Sequence, residues 1–142
     1  MRWIWRAKTV LFVFASTLAV SSSAGAQAEA TATTSCVSPR LTTRDDSHMF
    51  GRILSAVEDL GGGFYKEAQG KYAAIIHDIE KKDYHPCLRW MAYDGYGETL
   101  TALKKKDKAA AMLTRAADLA RNLSDREREG SARHLEAAQK LK

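Results

Sequence analysis

Apolar residues recur every three or four positions between residues 88 and 119, in two stripes separated by a short polar segment. This spacing places side chains on one face of an α-helix. The separating residues 104–107 (KKKD) are long enough only for a tight reversal, and Asp107 can cap the second helix. The pattern therefore predicts two helices joined as an αα-hairpin. The first stripe contains Leu88, Met91, Ala92, Gly95, Tyr96, Leu100 and Leu103, and the second contains Ala109, Met112, Leu113, Ala116, Leu119 and Ala120.

A further stripe precedes this hairpin and begins after residues 45–47 (DDS), any of which can cap a helix. The stripe keeps its phase across residues 61–63 (GGG), which predicts one continuous helix from residue 49 to residue 68. Three glycines inside a helix cost ~2–3 kcal/mol relative to alanine, so such a helix requires a neighbour packed closely against them. The alternative is a break at the glycine run.

Two more stripes complete the pattern. One lies between a turn predicted at residues 69–71 (QGK) and Pro86, because the residue before a proline avoids the helical region. The other follows Ser124 and Glu127, which are spaced as a capping box, and runs to residue 142. With five predicted helices, no strand candidate and short connections, successive helices are expected to pack antiparallel. The predicted fold class is all-α, built from antiparallel helical hairpins over residues 44–142.

The first 28 residues differ in character from the rest. Arg2, Arg6 and Lys8 precede an apolar run at residues 9–20, and small residues follow it through Ala28. This order is typical of a cleaved secretory signal peptide, residues 1–28. The alternative, a membrane anchor, needs ~20 apolar residues, and this run is shorter. We therefore expect an exported protein, periplasmic or secreted, with no stable membrane insertion after cleavage. Residues 29–43, rich in Ala, Thr and Ser, predict a flexible extended arm.

Removal of the predicted signal peptide would also lower the net charge of the chain. The whole chain has a net charge of +5, but residues 1–28 contain three basic and no acidic residues, so the remaining chain carries +2. This charge is ordinary for a folded domain, and we expect no nucleic-acid partner. About 115 residues remain, which is enough for one domain with a core.

The chain contains two cysteines, Cys36 and Cys87. In an exported protein an even pair predicts a disulfide bond. The bond would close a loop of about 50 residues and stabilise the fold by up to ~4 kcal/mol through the lost entropy of the unfolded chain. It would also hold the arm near the start of the helix at Leu88. The alternative is two free thiols.

Two segments share a spacing of large residues around a glycine. These sets are Val57, Leu60, Gly61 and Phe64, and then Tyr93, Tyr96, Gly97 and Leu100. Ala109, Leu113 and Ala116 follow Gly97 in a small-large-small order.

The pattern resembles the tetratricopeptide repeat, in which a glycine lets a neighbouring helix approach closely and small residues keep the second helix narrow. The resemblance implies about two hairpin units and a terminal helix, with the first helix of each unit lining a concave, peptide-binding face. The two glycines are 36 residues apart, where the family repeat has ~34. The alternative is an unrelated small helical bundle.

No catalytic or metal-binding motif is present in the sequence. A nucleophile–base motif, a phosphate loop and a zinc-binding histidine pair are all missing, so we expect no enzyme activity, catalytic residue, cofactor or metal site. The nearest approach to a metal site is the cluster of His77, Asp78, His85 and Cys87. Its first two members are adjacent on a helix and point in different directions, and its cysteine is used more simply in the disulfide. His48 and His134 are predicted to be surface residues.

The helix near Leu88 contains more large residues than one buried stripe can absorb. Trp90 lies about 100° around the helix from Met91, away from the centre of that stripe. An exposed Trp beside a Tyr and an Arg is typical of a binding hot spot. We therefore predict that Arg89, Trp90 and Tyr93 contact a protein or peptide partner. The alternative is that the arm covers Trp90.

Together these features predict an exported, non-catalytic protein-binding scaffold or adaptor of tetratricopeptide-repeat type. The alternative function is a small exported helical bundle with a stress-related, ligand-handling or metal-handling role. The two differ in architecture, since a scaffold would have an aromatic-lined groove and a bundle would have a filled centre.

Overall fold

The computed structural model describes residues 34–142, which form five helices. The helices are α1 (Arg44–Gly61), α2 (Tyr65–Lys81), α3 (Pro86–Ala102), α4 (Lys106–Ala120) and α5 (Asp125–Gln139). The described residues contain no strand, only an isolated bridge between Thr34 and Leu123, so the all-α prediction is confirmed. The predicted signal peptide, residues 1–28, and residues 29–33 of the predicted arm lie outside the described range. Within that range, no helix has the length and apolar character needed to cross a bilayer.

The first two helices have different bounds from those predicted. The hydroxyl of Thr43 accepts a hydrogen bond from the backbone N–H of Asp46 and caps α1, which ends at Gly61. Gly63 has φ +80°, a conformation that favours glycine, and it carries the chain out of the helix. The predicted continuous helix is therefore wrong, and the chain breaks at the glycine run. The turn predicted at residues 69–71 is also wrong, because α2 runs through it with Gly70 exposed to solvent.

Helix α3 is the central element of the fold. It packs against each of the other four described helices, whereas among them α2 contacts α1 and α3, and α4 contacts α3 and α5. The odd-numbered helices also contact one another in sequence order, α1 with α3 and α3 with α5. This arrangement is compatible with two helical hairpins followed by a fifth helix. The buried apolar residues of α3 include Leu88, Ala92, Tyr93 and Leu100.

Two glycines let neighbouring side chains reach the backbone of α3. A Cβ atom on Gly97 would overlap the side chain of Leu113 on α4, and a Cβ atom on Gly95 would overlap the hydroxyl of Tyr72 on α2. Gly97 therefore packs closely against the following helix, as the glycine of the tetratricopeptide-like pattern implies. Gly61, its counterpart in the earlier matching segment, lies at a helix end, and no other described helix or side chain beyond its chain neighbours comes within 4 Å of the place its Cβ atom would take. The two units are thus not equivalent at this position.

We expect Gly97→Ala to destabilise the protein by about 1–3 kcal/mol, because the new methyl group must displace the branched end of Leu113. Gly130→Ala is the matched control, since Gly130 lies inside α5 with open space around its Cβ position. That control should be neutral or should stabilise by up to ~1 kcal/mol through helix propensity. Urea unfolding measures both variants. Equal stabilities for the two would contradict the close packing of α3 on α4.

Candidate functional site

The N-terminal arm is attached to the helical domain where α3 and α5 begin. The sulfur atoms of Cys36 and Cys87 lie 2.03 Å apart, at the distance of a disulfide bond, as the cysteine count predicts. The backbone N–H of Cys36 donates to the Glu127 carboxylate at 2.9 Å, and that of Ser124 donates to the Thr34 carbonyl at 3.2 Å. The described part of the arm is therefore held by one covalent link and by polar contacts to the start of α5.

Trp90 does not project freely into solvent. Its ring is half-buried and packs against the cluster formed by Cys36, Cys87 and Leu123, and its Nε1 donates to Ser131 Oγ at 2.8 Å. This is the arrangement of the alternative interpretation, in which the arm covers the ring. The expected exposure of Trp90 is wrong because α3 is covered by the arm and by α5 on this side.

Tyr93 is also not exposed, because only 4% of its surface reaches solvent. Its hydroxyl donates to Glu80 at 3.3 Å and accepts from Arg115 at 3.2 Å, and the Arg115 guanidinium lies 5.5 Å from the centre of its ring. Arg89 is half-buried, with its guanidinium 3.4 Å from Asp83. Partner contact by Arg89, Trp90 and Tyr93 stays a prediction, and these three side chains point to different neighbours.

We expect Trp90→Ala to lower the free energy of unfolding by roughly 2–4 kcal/mol, because the ring fills the space between the disulfide and α5. Val37→Ala removes an apolar side chain that is 61% exposed on the same arm and should change stability little. Thermal melts of both variants check this expectation. A Trp90→Ala variant as stable as the parent would contradict the packing role.

A groove opens between α1, α3 and α5, and the start of α2 contributes to its rim. It consists of two adjoining pockets, of about 310 Å³ and about 160 Å³, which share Leu60 and Glu98. The apolar wall of the groove is formed by Val57, Leu60, Tyr65 and Met91. Its floor is formed by polar groups of α2, α3 and α5, namely Tyr72, Asp94, Glu98 and His134. This groove is the candidate functional site.

A hydrogen-bonded network lies along the floor between α3 and α5. Asp94 is only 6% exposed, and its carboxylate is 2.9 Å from His134 Nδ1 and accepts from Ser131 Oγ at 3.3 Å. Ser131 in turn accepts from Trp90 Nε1. The other ring nitrogen of His134, Nε2, lies 3.1 Å from Glu98 Oε1. His134 is therefore half-buried between two carboxylates and less exposed than predicted, whereas His48 is exposed as predicted.

The carboxylates and the histidine shift one another's protonation. The hydrogen bond that His134 donates to Asp94, followed by the negative charges of Asp94 and Glu98, raises the pKa of His134, while burial and the Arg133 charge lower it. Burial raises the pKa of Glu98, and the nearby His134 charge opposes this. The pKa values of His134 and Glu98 are therefore both raised. Because the two groups lie in contact, the protonation of one affects the pKa of the other.

Tyr72 completes the floor of the groove. Its side chain is fully buried and its hydroxyl has no hydrogen-bond partner among the described residues, although it lines the smaller pocket beside Asp94 and Glu98. Burial, and then the charges of Glu98 and Asp94, raise the pKa of this hydroxyl, so it is a neutral donor. A buried donor without an acceptor costs about 1–3 kcal/mol. The cost would be relieved by an acceptor in the smaller pocket.

The metal-like cluster considered in the sequence does not converge. Asp78 pairs with Arg52 at 2.6 Å, His85 Nδ1 accepts from the backbone N–H of Cys87, and Cys87 is bonded to Cys36. In the described residues, the group whose ligand atoms do come together is Asp94, Glu98 and His134, all within 4.8 Å of one another. The sequence shows part of this spacing, since Asp94 and Glu98 are four apart, but the histidine is 36 residues further along.

Comparison with known proteins adds no identification. No protein-family model, no curated protein and no solved structure matches this chain. The resemblance to tetratricopeptide repeats therefore rests on this chain's own residues and helix contacts.

We expect the pKa of His134 to lie above the ordinary value of about 6.5, because Asp94 accepts a hydrogen bond from the charged form of the imidazole. The pairing then stabilises the fold fully below about pH 6.5, and this contribution is lost as pH rises through the folded-state pKa. Asp94→Asn should lower the pKa of His134. An NMR titration of the imidazole protons measures both, and an identical His134 pKa in the two proteins would contradict the network.

Proposed function

We propose that this protein is an exported, non-catalytic binding module of tetratricopeptide-like type that holds a peptide segment of a protein partner in the groove. The observation that carries the proposal is the apolar wall, because large apolar side chains stand exposed beside an open groove. Val57 is 43% exposed, Tyr65 is 38% exposed, and Phe64 next to Tyr65 is 60% exposed. Apolar surface of this kind beside a concave site is typical of protein interaction sites.

The helix order supports the same proposal. In the tetratricopeptide-like arrangement, the first helix of each hairpin lines the concave face, and these helices correspond to α1, α3 and α5. The groove is lined mainly by these three helices, and α2 and α4 pack against α3. We place the partner segment along this face, with a large apolar side chain against Val57, Leu60 and Tyr65.

Export is supported by two features of the chain. Residues 1–28 have the order of a signal peptide, and Cys36 and Cys87 stand at disulfide distance. Disulfide bonds persist in oxidising compartments outside the cytoplasm. We therefore propose that the partner is met in the periplasm or outside the cell.

A groove variant with a matched control tests the proposal. In Val57→Ser/Tyr65→Ser, two exposed contacts are removed without opening the core. In Val37→Ser, a more exposed apolar residue of the arm is replaced. Segments are selected from a peptide library with the parent protein, and their affinities are measured by calorimetry. We expect the groove variant to weaken binding at least tenfold, or about 1.4 kcal/mol, and the control to bind normally.

Circular dichroism and thermal melts check that both variants are folded at the temperature of the binding measurement, since Val57 and Tyr65 are only 43% and 38% exposed. A parent protein that selects no segment, or selected segments that bind the groove variant as tightly as the parent, would contradict the proposal.

A further inference from the structure

We infer that the floor of the groove is a binding site for a divalent transition-metal ion of the zinc class, with His134 and Glu98 as ligands and Asp94 as the residue that positions the histidine. This inference goes beyond peptide binding and does not depend on it. The two proposals use different residues of the groove, so that each can fail alone.

The first argument is the distance between the two ligand groups. His134 Nε2 and Glu98 Oε1 lie 3.1 Å apart. Zinc bonds of ~2.0–2.2 Å to nitrogen and oxygen place two neighbouring ligand atoms about 3.0–3.5 Å apart. A metal ion therefore fits between these atoms with little movement. The Glu98 side chain is 40% exposed, so an ion can reach it from the groove and the side chain has room to adjust.

The second argument is the support behind the histidine. Asp94 lies 2.9 Å from Nδ1, so that Nδ1 keeps its proton and donates to this carboxylate. Nε2, which faces Glu98, is then the nitrogen that gives up its proton when an ion binds. Asp94 is itself held by Ser131, which accepts from Trp90. A carboxylate behind a ligating histidine is the common arrangement in metal sites, where it sets the tautomer and the ring orientation. Asp94 also adds a second negative charge close to the ion.

The third argument is the hydroxyl of Tyr72, which is independent of the ligand set. It is a fully buried donor with no partner among the described residues, and it lines the pocket that Asp94 and Glu98 also line. Water molecules must complete the coordination of an ion held by two protein ligands. A water bound to an ion in this pocket would give the Tyr72 hydroxyl an acceptor.

The donor set selects the class of ion. One imidazole nitrogen with carboxylate oxygens suits zinc and neighbouring divalent ions. Magnesium and calcium prefer oxygen ligands throughout, and a histidine in direct contact is unfavourable for them. No thiolate competes for the ion in the described domain, since both cysteines are paired.

The test uses the full protein without a tag, after treatment with a chelator and dialysis. Zn²⁺ alone is titrated in a calorimeter, the imidazole resonances are followed by NMR, and Co²⁺ provides a visible absorption spectrum that reports its coordination. We expect one equivalent of Zn²⁺ to bind and to shift the ring resonances of His134. His134→Gln and Glu98→Gln should each weaken binding at least tenfold.

Two further variants separate ligation from support. Asp94→Asn should weaken Zn²⁺ binding by about tenfold, as expected for a residue behind the ligand, and should change the Co²⁺ spectrum rather than abolish it. Tyr72→Phe should weaken Zn²⁺ binding several-fold while leaving the melting temperature of the metal-free protein equal or higher, because a buried unpaired hydroxyl is removed. His77→Gln is the matched control, since that histidine is exposed on α2, and it should bind as the parent does.

Three outcomes would overturn the inference. These are a parent protein that binds no Zn²⁺, bound Zn²⁺ that shifts the resonances of another histidine, and unchanged affinity in Glu98→Gln. Glu98→Gln keeps the test decisive if His134→Gln does not fold, because Glu98 is partly exposed and its replacement is nearly isosteric. Peptide binding is measured on the metal-free protein. That measurement tests the apolar wall of the groove independently of the metal ligands.

Discussion

The burial of α3 is the constraint on which the rest of the structure depends. Because this helix contacts the four other described helices, none of its residues from 87 to 100 is fully exposed, and two close approaches of neighbouring side chains occur where it carries glycine. Gly97 admits Leu113 of α4 and Gly95 admits Tyr72 of α2. The close contact of Tyr72 with Gly95 packs α2 against α3, and it also places the Tyr72 hydroxyl at the floor of the groove.

Burial also dictates how the polar residues of α3 are satisfied. Thr99 donates to the carbonyl of Gly95 within its own helix, at 2.8 Å. The Asp94 carboxylate has no hydrogen-bond partner within α3. Its partners are Ser131 and His134, which both lie on α5. The apolar face of α5 is thin, because it consists of the small buried Ala138 beside the partly buried Leu135. Polar contacts, together with the arm bound to Glu127, therefore specify how this last helix docks.

The groove joins two kinds of surface that suit different partners. Its wall is apolar and exposed, which suits a large side chain of a peptide, while its floor is acidic with a half-buried histidine, which suits a metal ion. The lining comes from helices far apart in sequence, and all of them rest on α3. The site is thus held by the rigid centre of the domain and not by its connecting loops, which is the arrangement that keeps ligand groups in place.

The sequence by itself determined the all-α class, the five helices of the described residues, the turn near residues 104–107 and the cysteine pairing. The helices follow from spacing along the chain, because helical periodicity indicates which side chains of one helix face inward, and the disulfide follows from the single pair of cysteines. Periodicity does not indicate which helices pack against one another. The tertiary structure alone decided that the arm covers Trp90, that Tyr93 meets Arg115, and that His134 enters a carboxylate pair. It also decided the break at the glycine run, since no described helix packs against Gly61 to offset the cost of glycines inside a helix.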